Sequence, residues 1–212
     1  MDIQIDSAGL SAIYAANQSV TLARQVNTFV QTWGVPEAQL AASAPPASVA
    51  WQAFQPLPSN TIDWTDQYTC FATTTPLNYG AVLMLNAFSP APMQVGLAEI
   101  FSDGRFTQRP QGGPAYVVAN ASQTGSYAFG LAQSATINSV AALCPVCAAP
   151  VLYNEAAWFT PTDVISIFLS SAITGGTVIP MPSNAFAVSA AAGASGPTIG
   201  FNDKTNMFFQ LS

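Results

Sequence analysis

The stretch Glu99-Ile100-Phe101-Ser102-Asp103-Gly104-Arg105-Phe106-Thr107 places an Asp-Gly pair between two apolar runs. Asp and Gly accept the left-handed backbone that a tight turn needs, so the sequence predicts a β-hairpin here. Near the C-terminus, Ile199-Gly200-Phe201 passes through Asn202-Asp203-Lys204-Thr205 into Asn206-Met207-Phe208 and reads the same way. Outward from these hairpins, short apolar runs recur at 19–26, 48–54, 61–73, 81–88, 94–101, 115–120, 126–137, 164–170, 177–179 and 185–189, set apart by Pro, Gly, Asn and Ser clusters. Strands of that length and spacing build sandwiches and barrels. The expected fold class is all-β and β-sandwich-like. Two short helices are expected besides, at 8–16, where Leu10, Ile13 and Tyr14 have helical spacing, and at 36–42, where Pro36 suits the first helical position.

The two hairpins resemble each other, and the likeness extends upstream in the same order. Leu22-Ala23-Arg24-Gln25 matches Leu131-Ala132-Gln133, Trp51 matches Trp158, Phe71 matches Phe168, and Asn86-Ala87-Phe88 matches Asn184-Ala185-Phe186. Phe101-Ser102-Asp103 then matches Phe201-Asn202-Asp203. The expectation is two diverged copies of a unit of about 100 residues, the size of a small β-sandwich. They would occupy 1–110 and 111–212, packed together as one body, because no polar linker separates Pro110 from Pro114.

Composition narrows the function classes. Half of the 212 residues are hydrophobic, enough for a sizeable core, and 7% are charged. The low charge leaves little repulsion between copies, so a homo-oligomer is expected. The only cations are Arg24, Arg105, Arg109 and Lys204 against ten acids, and they do not cluster. Phosphate-backbone binding needs clustered Lys and Arg, so no nucleic acid partner is expected. With no histidine, Ser–His–Asp and Cys–His catalysis are excluded. No apolar run reaches the ~18 to 20 residues of a membrane helix, so no transmembrane segment is expected. Met1-Asp2-Ile3-Gln4-Ile5-Asp6 does not read as a secretory signal. A cytoplasmic protein is expected, or one released without a recognisable signal peptide. Cys144-Pro145-Val146-Cys147 and the separate Cys70 allow inert thiols, a local disulfide, or metal or redox chemistry. A four-ligand zinc site would need three Cys and a carboxylate, an uncommon set, so neither metal nor cofactor is expected.

The run around Trp64 holds the candidate site. Strand alternation puts Ile62, Trp64, Asp66, Tyr68 and Cys70 on one face, aromatic and apolar except for Asp66. A carboxylate there needs hydrogen bonds or an open groove, or a bulge that turns it to solvent. Sugars present C–H faces and O–H edges, which an aromatic-plus-carboxylate site suits. The run 164–170 in the second half shows no acid on its matching face. Glu99 shares a face with Val95, Leu97 and Phe101 and is either a second site carboxylate or an exposed edge-strand charge.

The reading is a non-catalytic, lectin-like binding protein for a small molecule or glycan, with Trp64, Asp66, Tyr68 and Glu99 as candidate ligand-binding residues. The alternatives are a self-assembling structural protein with a low-charge surface, or an enzyme or scaffold acting through carboxylates on a sugar or small apolar substrate. Asp103 and Asp203 read as turn formers.

Overall fold

The structure is a computed structural model, and it describes residues 1–34, 47–193 and 196–211. The helix expected at 36–42 lies outside the described residues. The described residues form, in chain order, β1 (Asp2–Gln4), α1 (Ser7–Ala15), β2 (Ser19–Thr32), β3 (Ala47–Ser48), β4 (Gln52–Phe54), β5 (Ser59–Thr73), β6 (Ala87–Phe88), β7 (Leu97–Ser102) and β8 (Arg105–Pro110). They continue with β9 (Tyr116–Asn120), β10 (Ala128–Ile137), β11 (Val140–Pro145), β12 (Cys147–Pro150), β13 (Glu155–Ser170), β14 (Phe186–Ser189), β15 (Thr198–Asn202) and β16 (Met207–Gln210). The fold is an all-β sandwich of two mixed sheets.

The first sheet runs β16-β15-β1-β5-β10-β12-β3, with β6 also on β5 and β11 also on β10. The second runs β8-β7-β9-β13-β2-β4, with β14 also on β13. The two orders follow one plan. Each begins with a C-terminal hairpin (β15–β16, β7–β8), whose inner strand lies parallel to a short strand (β1, β9). That short strand pairs antiparallel with a long one (β5, β13), which pairs in turn with β10 or β2. Only β3 and β11 fall outside the correspondence among the described strands. Both sheets draw strands from either side of residue 110.

Registers agree residue by residue. Leu131 stands opposite Cys70 on β5, and Leu22 stands opposite Ile167 on β13. Phe71 faces Gly130 as Phe168 faces Thr21. Phe101 lies across from Phe106, and Phe201 across from Phe208. One sequence match fails. The Trp51 N–H donates to Leu22 O, and the residue that does this for Leu131 is Val146. Trp158 sits opposite Val117 on β9, where the other sheet has Thr61 opposite Asp2 on β1. Trp51 and Trp158 are both buried, but in different parts of the plan.

Alternation explains the core. From β2, Leu22 and Val26 point between the sheets and meet Ile165 and Ile167 of β13 and Phe129 and Leu131 of β10. A fully buried side chain of this kind contributes about 1.5 to 3 kcal/mol. The Asp103-Gly104 turn has positive φ at both residues, 50° and 78°, as the hairpin reading requires. Helix α1 starts where Asp6 accepts the Gly9 N–H at 2.7 Å, an N-cap, and buries Ile13. The run 81–88 differs from expectation. Only Ala87–Phe88 is strand, and the preceding residues cross the outer face of the first sheet, where Leu83 covers Phe71. No described helix is long and apolar enough to cross a membrane.

Candidate functional site

Both long strands carry a bulge, and the two bulges correspond. In β5, Trp64 is opposite Ala135 and Tyr68 opposite Gln133, so Thr65, Asp66 and Gln67 stand against the single residue Ser134. In β13, Pro161 is opposite Val26 and Ile165 opposite Arg24, so Thr162, Asp163 and Val164 stand against Gln25. A bulge frees backbone groups from the ladder and re-aims side chains. Here it keeps Trp64 and Tyr68 on the inner face and lifts Asp66 outward, its side chain 51% exposed. Pro161, which lacks an N–H, is tolerated at the bulge's edge.

Arg24 and Gln133 occupy matching positions opposite the bulges, and each long side chain satisfies a carbonyl the bulge has freed. Arg24 Nη2 donates to Thr162 O and Gln133 Nε2 to Thr65 O, both at 2.8 Å. They also meet each other, Arg24 Nη1 donating to Gln133 Oε1 at 2.9 Å. Trp51 Nε1 donates to the Gln133 backbone carbonyl at 3.1 Å. The guanidinium lies 5.7 Å from the Trp51 ring centre, 5.9 Å from Tyr68 and 6.0 Å from Trp64, within cation–π range. Its counter-ion is Asp66, at 3.4 Å. Arg24 is 5% exposed, and its Nε has no partner.

Asp66 and Asp163 line one cavity of about 220 Å³, together with Arg24, Tyr68, Tyr116 and Thr162. The Tyr68 and Tyr116 rings are 5.3 Å apart. Burial holds both phenols protonated, and the Asp66 charge adds to the effect; the Arg24 charge opposes it at Tyr68. The cavity is smaller than the ~300 to 1,000 Å³ of pockets for drug-sized ligands. It has room for one small unit, with two carboxylates and Thr162 on its rim, tyrosines in its wall and Arg24 beneath.

Of the residues singled out from sequence, Asp66 and Tyr68 meet here. Trp64 does not line this cavity; it lies edge-on to Trp51 with centres 5.8 Å apart and lines a separate cavity with Met1 and Ile62. Glu99 is 1% exposed on β7, flanked by β8 and β9. One of its oxygens accepts from Gln108 Nε2 at 2.8 Å and the other has no partner. Burial raises its carboxyl above the usual range, against the Gln108 hydrogen bond. Its charge is felt by the buried Cys70 thiol. It does not line the cavity that Asp66 and Tyr68 share.

The sequence reading missed Arg24, Gln133, Tyr116 and Asp163. It compared 164–170 with the Trp64 run and found no acid, because β13 begins at Glu155 and the counterpart of Asp66 is Asp163. The signal was present as Thr65-Asp66 and Thr162-Asp163, the same dipeptide at matching places. The three cysteines are free thiols, and burial pushes Cys147 up to about 12. No group of three or more His, Cys, Asp or Glu is arranged to hold a metal among the described residues. No protein-family model, curated protein or solved structure matches the chain.

Proposed function

We propose that this chain is a non-catalytic binding protein built of two copies of one strand-rich unit, with its ligand site where the copies meet and a carbohydrate as ligand. The observation that carries the reading is the cavity itself. Two bulge carboxylates, two tyrosines and a buried guanidinium line a space the size of one sugar ring. Hydroxyls donate to Asp66 and Asp163, a ring or hydroxyl oxygen accepts from Arg24, and a C–H face rests on Tyr116. The shared sheet plan and the paired bulges support descent of the halves from one unit. A glycan array followed by calorimetric titration with Asp66→Asn tests the site. A hydrogen bond to a charged group contributes about 1.5 to 3 kcal/mol, so affinity should fall roughly ten- to a hundredfold. A variant that binds as tightly as the parent, or an array with no bound glycan, would refute the reading.

Self-association is the second reading, favoured by Tyr79, Val82 and Met84, which lie 76%, 51% and 68% exposed on one short segment. Apolar exposure of this kind marks interaction surfaces. Sedimentation velocity at micromolar concentration should show a species above monomer mass. Replacing Tyr79 and Met84 by Ser should return it to monomer.

A further inference from the structure

The two half-sites are alike except at one point. Asp66 and Asp163 correspond, and so do Arg24 and Gln133. Arg24 supplies a cation to Asp66, whereas Gln133 is neutral, and its amide is engaged by Thr65 O and Arg24. Asp163 is therefore the carboxylate for which the plan provides no cation. Arg24–Asp66 is the only ion pair among the described residues, and the Asp163 carboxylate, exposed on its bulge, has no hydrogen-bond partner among them. The cavity thus carries two negative charges against one positive.

The cavity is closed below by Arg24, whose guanidinium is already engaged by Gln133, Thr162 O and Asp66. A ligand that completes the site brings a positive charge to Asp163. Tyr116, half-buried in the cavity lining, favours the same charge, because an aromatic ring attracts a cation. We infer that the ligand is a sugar bearing a free, protonated amine, and that Asp163 is the residue that selects it.

This inference rests on the carbohydrate reading and deepens it. An α-amino acid also joins an ammonium to oxygen acceptors, so the test includes one. Glucosamine, glucose, N-acetylglucosamine and serine are each titrated at millimolar concentration into the parent protein and into Asp163→Asn, at pH 6. Glucosamine should bind the parent at least tenfold more tightly than glucose or N-acetylglucosamine, which lack the charge. Asp163→Asn should abolish that preference and leave all three sugars equally weak. Asp163 is exposed, so the variant should melt with the parent, and the parent's selectivity decides the matter even if it does not. Equal binding of the three sugars, or a preference that survives Asp163→Asn, overturns the inference and leaves carbohydrate binding standing. Binding of serine as tight as that of glucosamine overturns the sugar assignment. Binding of none of the sugars overturns the inference, and the glycan array then decides the carbohydrate reading.

Discussion

Arg24 is a charge placed where a sandwich normally keeps hydrocarbon. Burying a guanidinium is unfavourable unless its protons are satisfied, and here Gln133, Thr162 O, Asp66 and three aromatic rings do most of that. Arg24→Met should keep the volume but leave Thr162 O without its donor. Each buried group so stranded costs about 1 to 3 kcal/mol, so chemical denaturation should show a loss on the order of 3 kcal/mol. A neutral result would mean that the cation is dispensable for folding. Glu99 presents the opposite case. Ile199 fills the matching position in β15, fully buried. Because burial raises the folded-state pKa of Glu99 above its unfolded value, the protonated form suits the fold. Stability is then highest below the unfolded pKa of about 4.3 and declines as pH rises through the folded value. Glu99→Ile should stabilise the protein by about 1 to 3 kcal/mol at pH 7, where the parent carries an unsatisfied oxygen. The gain should shrink when thermal melts are repeated near pH 4. Destabilisation at pH 7 would contradict this account. The apolar face it shares with Leu97 and Phe101 was the local sign of its burial, and the pairing of β7 with both β8 and β9 removes the edge-strand alternative.

The hairpins were legible because turn chemistry is local, and the helix, expected at 8–16 and found at Ser7–Ala15, because its apolar spacing is local too. The inner phase of Ile62, Trp64, Tyr68 and Cys70 was legible from alternation. The bulge at Asp66 was one of the alternatives the strand pattern left open, but the bulge at Asp163 was not read, since a bulge is a count of residues on one strand against a partner remote in sequence. β10 shows how such pairing constrains a single residue. A Cβ at Gly130 would lie 1.9 Å from the Cys147 carbonyl oxygen and 2.7 Å from the Phe71 ring. The first of these is backbone and cannot swing aside. Gly130→Ala should therefore force β12 away from β10 and cost about 3 kcal/mol, at the upper end for overpacking. Equilibrium denaturation measures this, and a variant as stable as the parent would show that β12 is free to shift.

At the scale of the whole chain, the two long antiparallel pairs decide how the molecule holds together. β5 pairs with β10, and β2 with β13, so each joins a strand from before residue 110 to one from after it. Parallel pairing of β1 with β15 and of β7 with β9 adds two more joins of the same kind. Neither half contains the neighbour that covers its longest strand. Leu22 and Val26 alone would lose Ile165 and Ile167, and Cys70 would lose Leu131. Separate fragments 1–111 and 112–212 should therefore lack a cooperative thermal transition as monomers. Mixed in equal amounts, they should assemble into a one-to-one complex that melts cooperatively, because every pairing present in the intact chain is available between them. The exposed glycine turn at Gly112 and Gly113, with positive φ at both, is the place to divide the chain without disturbing either sheet. If the halves descend from one unit, a fragment that does fold alone should do so as a dimer, supplying to its own copy the strands that the other half normally provides. Sedimentation equilibrium on each fragment distinguishes these cases. A fragment that melts cooperatively while sedimenting as a monomer would show that the joins between halves are not what completes the sheets.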